Sequence, residues 1–156
     1  MAASISNGAP DLTATTSDER SMAVLAHALQ VVGGWIAPLI IFFVTRQSRF
    51  VSFHALQVLF LELAYLAITV SVMMFWIASI ALAVLHTRSN NNQMPAAFFV
   101  VFPVFWLGWM GVWITKIVVA VIYSVKAGRG EWAEIPVVGG LARSVLKIGP
   151  GGVPVS

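Results

Sequence analysis

Cysteine is absent from this 156-residue chain, which excludes disulfides, thiolate metal sites and a cysteine nucleophile together. Charge is scarce as well: Asp, Glu, Lys and Arg make up only 10% of the residues, against 59% hydrophobic ones. With a mean hydropathy of +0.89, that is not the composition of a water-soluble globular domain. Glycine and proline are missing from the whole stretch between Val51 and Leu85, so nothing in it punctuates a turn. HExxH, P-loop and GxSxG patterns are also lacking, and no two carboxylates sit at a spacing suited to acid–base work, so hydrolytic and nucleotide chemistry have no candidate residues. We therefore expect no catalytic residue, no cofactor and no enzyme activity.

What the chain does contain is long apolar blocks: Met22 to Val44, Val51 to Leu85 and Ala96 to Val125. Each exceeds the roughly 20 residues that a helix needs to cross a hydrocarbon core about 30 Å thick. The fold expected is an all-α integral membrane protein with three transmembrane helices. A four-crossing alternative would break the second block near Ser71 to Met74, but no loop residues stand there. The first helix should start near Ser17 or Asp18 and run to about Thr45, with Gly33, Gly34 and Pro38 interrupting it. The second and third should form a long helical hairpin whose polar tip is HTRSNNNQMP, with Pro103, Gly108 and Gly111 letting the returning helix bend. The organisation follows: residues 1–20 a disordered polar tail, 21–126 a transmembrane helical domain, 127–156 an interfacial tail on the inner side. In that tail Val137, Val138, Leu141 and Val145 should dip into lipid while Arg143 and Lys147 face headgroups.

The formal charge of +3 and the pI of 9.8 do not point to nucleic acid, because the nine Lys and Arg are spread along the chain beside apolar blocks. Read as topology signals, Arg46, Arg49, Lys126, Arg129, Arg143 and Lys147 outweigh Arg20 and Arg88. This places the amino terminus outside and the carboxy terminus in the cytoplasm, most naturally in a bacterial inner membrane.

The polar residues within the apolar blocks are the candidate site. Glu62 and Lys116 both lie about 15 to 17 Å from the inner ends of their helices, so they should face one another or share a polar cavity. On a helical wheel His54, Glu62, Tyr65 and Thr69 share an arc of about 80°, flanked by Gln57. His27, Gln30, Gly34 and Pro38 form a comparable face on the first helix, and Trp106, Trp109, Trp113, Lys116 and Tyr123 one on the third. Three such faces turned together make a polar and aromatic interior. His54 and His86 are too far apart on one helix to share a metal ion, and His27 with His86 on the outer side is a weak ligand set, so no metal site is expected.

The run MAVLAHALQVVGGWIAPLIIFFVTRQSRFVSFHALQ, followed much later by KAGRGEWAEIPVV, resembles the small bacterial membrane family related to the twenty-kilodalton subunit of the plastid inner-envelope protein import translocon. The matching elements are His27, Ala37 to Phe42, Arg46, Phe53 to Gln57, and Ala127, Gly130, Ile135 and Pro136. The resemblance implies a helical bundle contributing to protein import, insertion or another transport assembly. The residues alone leave two further readings open: a structural accessory subunit of a larger membrane complex, and a proton-handling or quinone-binding subunit. All three imply partners in the lipid bilayer, either further copies of the chain or a larger membrane complex.

Overall fold

The computed structural model describes residues 15–89, 93, 95–96 and 98–154. Among these residues five α-helices follow one another, α1 (Ser17–Gly33), α2 (Ile36–Val44), α3 (Arg49–Ser89), α4 (Phe98–Gly128) and α5 (Val138–Leu146), and a short 3-10 turn spans Pro150–Gly152. No strand occurs among the described residues. The expected tail over residues 1–20 lies outside the described residues up to position 14, and its last four residues already belong to α1.

The start of α1 is set by a capping box one residue ahead of the expected cap. Thr16 Oγ1 accepts from the Glu19 amide at 3.2 Å, and Glu19 Oε2 accepts from the Thr16 amide at 2.9 Å. The other carboxylate oxygen of Glu19 receives the Ser48 hydroxyl at 2.7 Å. Together these bonds hold the Glu19 carboxyl below its ordinary pKa, the Ser48 bond contributing most.

That Glu19–Ser48 contact overturns the expectation of a first helix that runs from one side to the other. Ser48 lies in the loop after α2, so the segment returns to the end it started from. The reversal happens at Gly34, whose φ of 54° and ψ of −137° are conformationally open to glycine and strained for other residues. Pro38, expected to bend a continuous helix, instead occupies the first turn of α2, where its missing N–H removes no intrahelical bond. The apolar length of residues 22–44 is thus divided between two helices that return to one end, and neither is among those long and apolar enough to cross a membrane. The elbow is apolar and exposed at Val32, Trp35 and Ile36, and α2 beyond it at Ile40, Phe43 and Val44.

Among the described residues two helices, α3 with 41 residues and α4 with 31, are long and apolar enough to cross a membrane. At about 1.5 Å per residue they measure roughly 60 and 46 Å. Both are continuous, α4 running through Pro103 without a break. Burial divides α3 sharply. Every residue from Phe50 to Val58 is buried, while between Leu63 and Ser89 only Ala83 is. The buried portion is wrapped by α1, α2, α5 and the tail after α4, a collar around one end of the long hairpin. Its apolar filling is Ala23, Ala26, Phe50, Val51 and Ala55 on one side of α3, and Phe53, Leu56, Ala142 and Ile148 on the other. The alanines let helix axes approach closely, as membrane helix packing requires.

Beyond the collar, α3 and α4 meet through long side chains. Trp76 stacks on Phe105 with ring centroids 4.3 Å apart, and Tyr65 lies 6.3 Å from Trp109. Between the helices is a groove of about 520 Å³ lined by Ala64, Tyr65, Gly108, Gly111 and, at one end, Glu62 and Lys116.

Candidate functional site

The collar is held by polar side chains of α3 that reach the segment after α4. Gln57 is wholly buried, and its amide is used at both ends: Nε2 donates to the Ala133 carbonyl at 3.1 Å, and Oε1 accepts from the Ile135 amide at 2.6 Å. A side-chain amide is the right group here, because it offers one donor and one acceptor to an extended backbone, as a neighbouring strand would. One turn earlier, His54 places Nε2 3.1 Å from the Glu131 carbonyl. Its other ring nitrogen, Nδ1, is 3.1 Å from Nε2 of His27 on α1. A carbonyl can only accept, so His54 carries its proton on Nε2. In the neutral pair His54 Nδ1 then accepts, and His27 Nε2 donates. Tyr123 completes the arrangement: its hydroxyl donates to the Glu134 carbonyl at 2.8 Å, and its ring centroid is 6.0 Å from that of His27.

A second polar group lies farther along the helices. Lys116 Nζ stands 2.8 Å from Oε1 and 3.0 Å from Oε2 of Glu62, and 4.7 Å from the centre of the Tyr65 ring. Glu62 is only 5% exposed and Lys116 13%. Removing either partner would leave a charge enclosed without compensation, whereas together they are tolerated in an apolar setting.

His27, Gln30, His54 and Gln57 are fully enclosed in the collar. Glu62, Lys116 and Tyr65 form the ion-pair cluster at its edge, and Thr69 is half-buried one turn beyond Tyr65. The expected aromatic face is not a single inward face. Trp109 packs on Tyr65 and Phe105, and Tyr123 joins the collar, but Trp106 and Trp113 are 50% and 46% exposed. A continuous helix flanked on one side by α1 and on another by α3 leaves its remaining surface to solvent or lipid. His27, expected toward the outer side with His86, lies instead at the collar end, because α1 enters and leaves from there. Among the described residues no group of three His, Asp or Glu stands together.

The tail departs from expectation too. Val137, Leu141 and Val145 are exposed, but Val138 is buried beside Gly139 and Ala142. Arg143 does not face outward; it pairs with Glu134 and stands 5.5 Å over the Phe53 ring. Sequence reasoning also missed Glu131, Ala133 and Trp132. The first two act through backbone carbonyls, which leave no trace in residue type, while Trp132 packs on Phe50 and Phe53 at 5.2 and 5.5 Å.

A family model described as the magnetosome magnetite crystal formation protein family matches residues 18–142. No curated protein and no solved structure matches the chain. The match overturns the resemblance to the translocon family, although it covers the same motifs. The physical reason is visible in the collar: His27, the FHALQ segment and EWAEIP are joined to one another by hydrogen bonds, so they specify how helices are clasped and not what the protein handles. The match spans 125 of the 156 residues, from the first turn of α1 into α5, and the chain belongs to the MamF/MmsF magnetosome magnetite crystal formation protein family.

Proposed function

We propose that this chain is a non-enzymatic component of the magnetosome membrane that supports magnetite crystal formation as a helical frame, on which further copies or other membrane subunits assemble. The family match over residues 18–142 carries this reading. The structure supports it through two long apolar helices with little burial, and through polar side chains spent largely on internal contacts. Exposed apolar residues along α3 and α4, such as Leu82, Phe99 and Leu107, suit lipid and neighbouring helices.

The collar faces the cytoplasm in this reading. Arg20, Arg46, Arg49, Lys126, Arg129, Arg143 and Lys147 all belong to the collar end, and Arg88 lies at the far end of α3. This asymmetry is steeper than the one obtained with α1 as a crossing, and it follows the rule for cytoplasmic basic residues.

Deleting the gene in a magnetite-forming bacterium, then measuring crystal size and shape by electron microscopy, tests the role. Altered crystals restored by the intact chain are expected; unchanged crystals would overturn it. Single cysteines at Ser17, Gln47 and Ser89 test the arrangement, since no native thiol interferes. Labelling of Ser17 and Gln47 from one side and Ser89 from the other is expected, and opposite reactivity of Ser17 and Gln47 would sink the re-entrant pair.

A further inference from the structure

Two enclosed side chains of α1 carry polar atoms that the collar does not use. His27 and Gln30 are both 0% exposed, yet Nδ1 of His27 and both amide atoms of Gln30 have no hydrogen-bond partner among the described residues. An enclosed amide with neither end paired costs about 1–3 kcal/mol per group, and such groups are ordinarily met by buried water. His54 and Gln57, equally enclosed, are paired through the backbone of residues 131–135. Enclosed atoms without a hydrogen-bond partner also occur on Glu62, Thr69, Trp132 and Arg143, but on α1 they lie on His27 and Gln30, three residues apart, where side chains are neighbours.

The surroundings extend this face toward the ion pair. One turn beyond Gln30 lies Gly34, where an added Cβ would stand 4.0 Å from Glu62 Oε2. α1 and α3 advance side by side in the same direction, from the His27–His54 contact to the Gly34–Glu62 approach, over about 10 to 12 Å. Gln30 falls between the two polar groups.

Proton placement singles out one atom. The Glu131 carbonyl fixes the proton of His54 on Nε2, and the His27–His54 bond then occupies His54 Nδ1 and His27 Nε2. In the neutral pair the one basic lone pair left is on His27 Nδ1, the atom that faces no protein partner. The titratable groups in contact with the His27 ring are His54 on α3 and Tyr123 on α4; Glu62 and Lys116 lie about two turns farther along, and α2 contributes none.

We propose that His27 Nδ1, the Gln30 amide and the Glu62 carboxylate frame an internal water site, through which the histidine pair gains and loses one proton. A hydronium ion at the site transfers its proton to His27 Nδ1, leaving water and an imidazolium. The existing Nε2–H bond to His54 and the His54–Glu131 bond stay as they are, so the clasp on the tail survives protonation. The charge is borne by His27 on α1, with Gln30 between it and the carboxylate of Glu62. The inference does not depend on the mineral role.

Water-edited solid-state NMR on nitrogen-15-labelled protein in phosphatidylethanolamine/phosphatidylglycerol vesicles tests it. Magnetisation from water should reach Gln30 Nε2 and the His27 ring several-fold faster than the backbone amides of Ala23 and Ala26, which are equally enclosed. On lowering the pH, His27 Nδ1 should acquire a proton while His54 Nε2 remains protonated throughout. Transfer to Gln30 as slow as to Ala26, or a proton resident on Nδ1 of neutral His27, would overturn the proposal. Gln30→Leu separates the alternatives further. A water site predicts slower transfer to His27 and a displaced titration; a dry site predicts a more stable protein with the His27 titration unchanged, which counts against the proposal. Should that variant not fold, the transfer rates in the unaltered protein decide.

Discussion

Replacing Gln57 by Leu keeps side-chain volume nearly constant and removes both ends of the clasp on the tail. The Ala133 carbonyl loses its donor and the Ile135 amide loses its acceptor, both at a wholly enclosed side chain. Each group left unpaired costs about 1–3 kcal/mol, so the segment should be weakened by about 2–6 kcal/mol. The penalty is local, because His54 and Tyr123 still hold Glu131 and Glu134, and the apolar packing of Trp132 is untouched. Tail opening should therefore rise well ahead of global unfolding. At about 1.4 kcal/mol per tenfold, even the lower figure is roughly a 30-fold increase in the opening equilibrium. Hydrogen exchange followed by mass spectrometry, in nanodiscs, reads this directly in peptides covering residues 131–136. Exchange faster by at least that factor is expected there, with α4 peptides unchanged. If exchange at Ile135 stays within threefold of the unaltered protein, the amide does not hold the tail and the reasoning fails.

Other expectations follow from the same contacts. Glu62→Gln and Lys116→Met should each lower thermal stability, by about 3–5 kcal/mol for an enclosed pair broken on one side, and the double substitution should be milder than either; additive losses would exclude mutual dependence. Glu19 titrates with a depressed pKa, so its contribution to stability is present above the unfolded carboxyl value of 4.5 and is lost as the pH falls through the lower folded value. Glu19→Gln should flatten that acid limb in thermal melts between pH 5 and 3, and an unchanged limb would show that the carboxyl is not the group responsible. Gly34→Ala meets no close neighbour but forces a side chain into the elbow's positive φ, and a melting point equal to that of the unaltered protein would mean the α1–α2 reversal tolerates another conformation; a loss of about 1–3 kcal/mol is expected.

How far the sequence speaks differs from element to element. The length of α3 is legible because no Gly or Pro interrupts it, and the depth of Glu62 and Lys116 is legible because the rise per residue of a helix is constant. The elbow at Gly34 is not. Residues 22–44 are long enough to cross a bilayer, and apolar length carries no information about direction. Only a contact 29 residues apart, Glu19 with Ser48, reveals the return. The clasp is hidden for a related reason: Gln57 and His54 appear as polar interruptions of an apolar helix, but their partners are backbone groups 76 to 78 residues away, which periodicity cannot find. Family resemblance fails at the same place, since motifs that encode a clasp can be shared by proteins with different tasks.

The return of α1 to its starting end changes what must happen when the chain is inserted. If α3 and α4 are the two crossings, the polar stretch that has to be carried through the bilayer is the connection HTRSNNNQMP and little else. If the collar is also cytoplasmic, everything that makes it, from the Thr16 cap to the turn at Pro150, stays on the side of synthesis. The hairpin can then enter as a unit, with a single basic side chain, Arg88, in its leading connection, and the amino- and carboxy-terminal segments close around its base afterwards without either one passing through lipid.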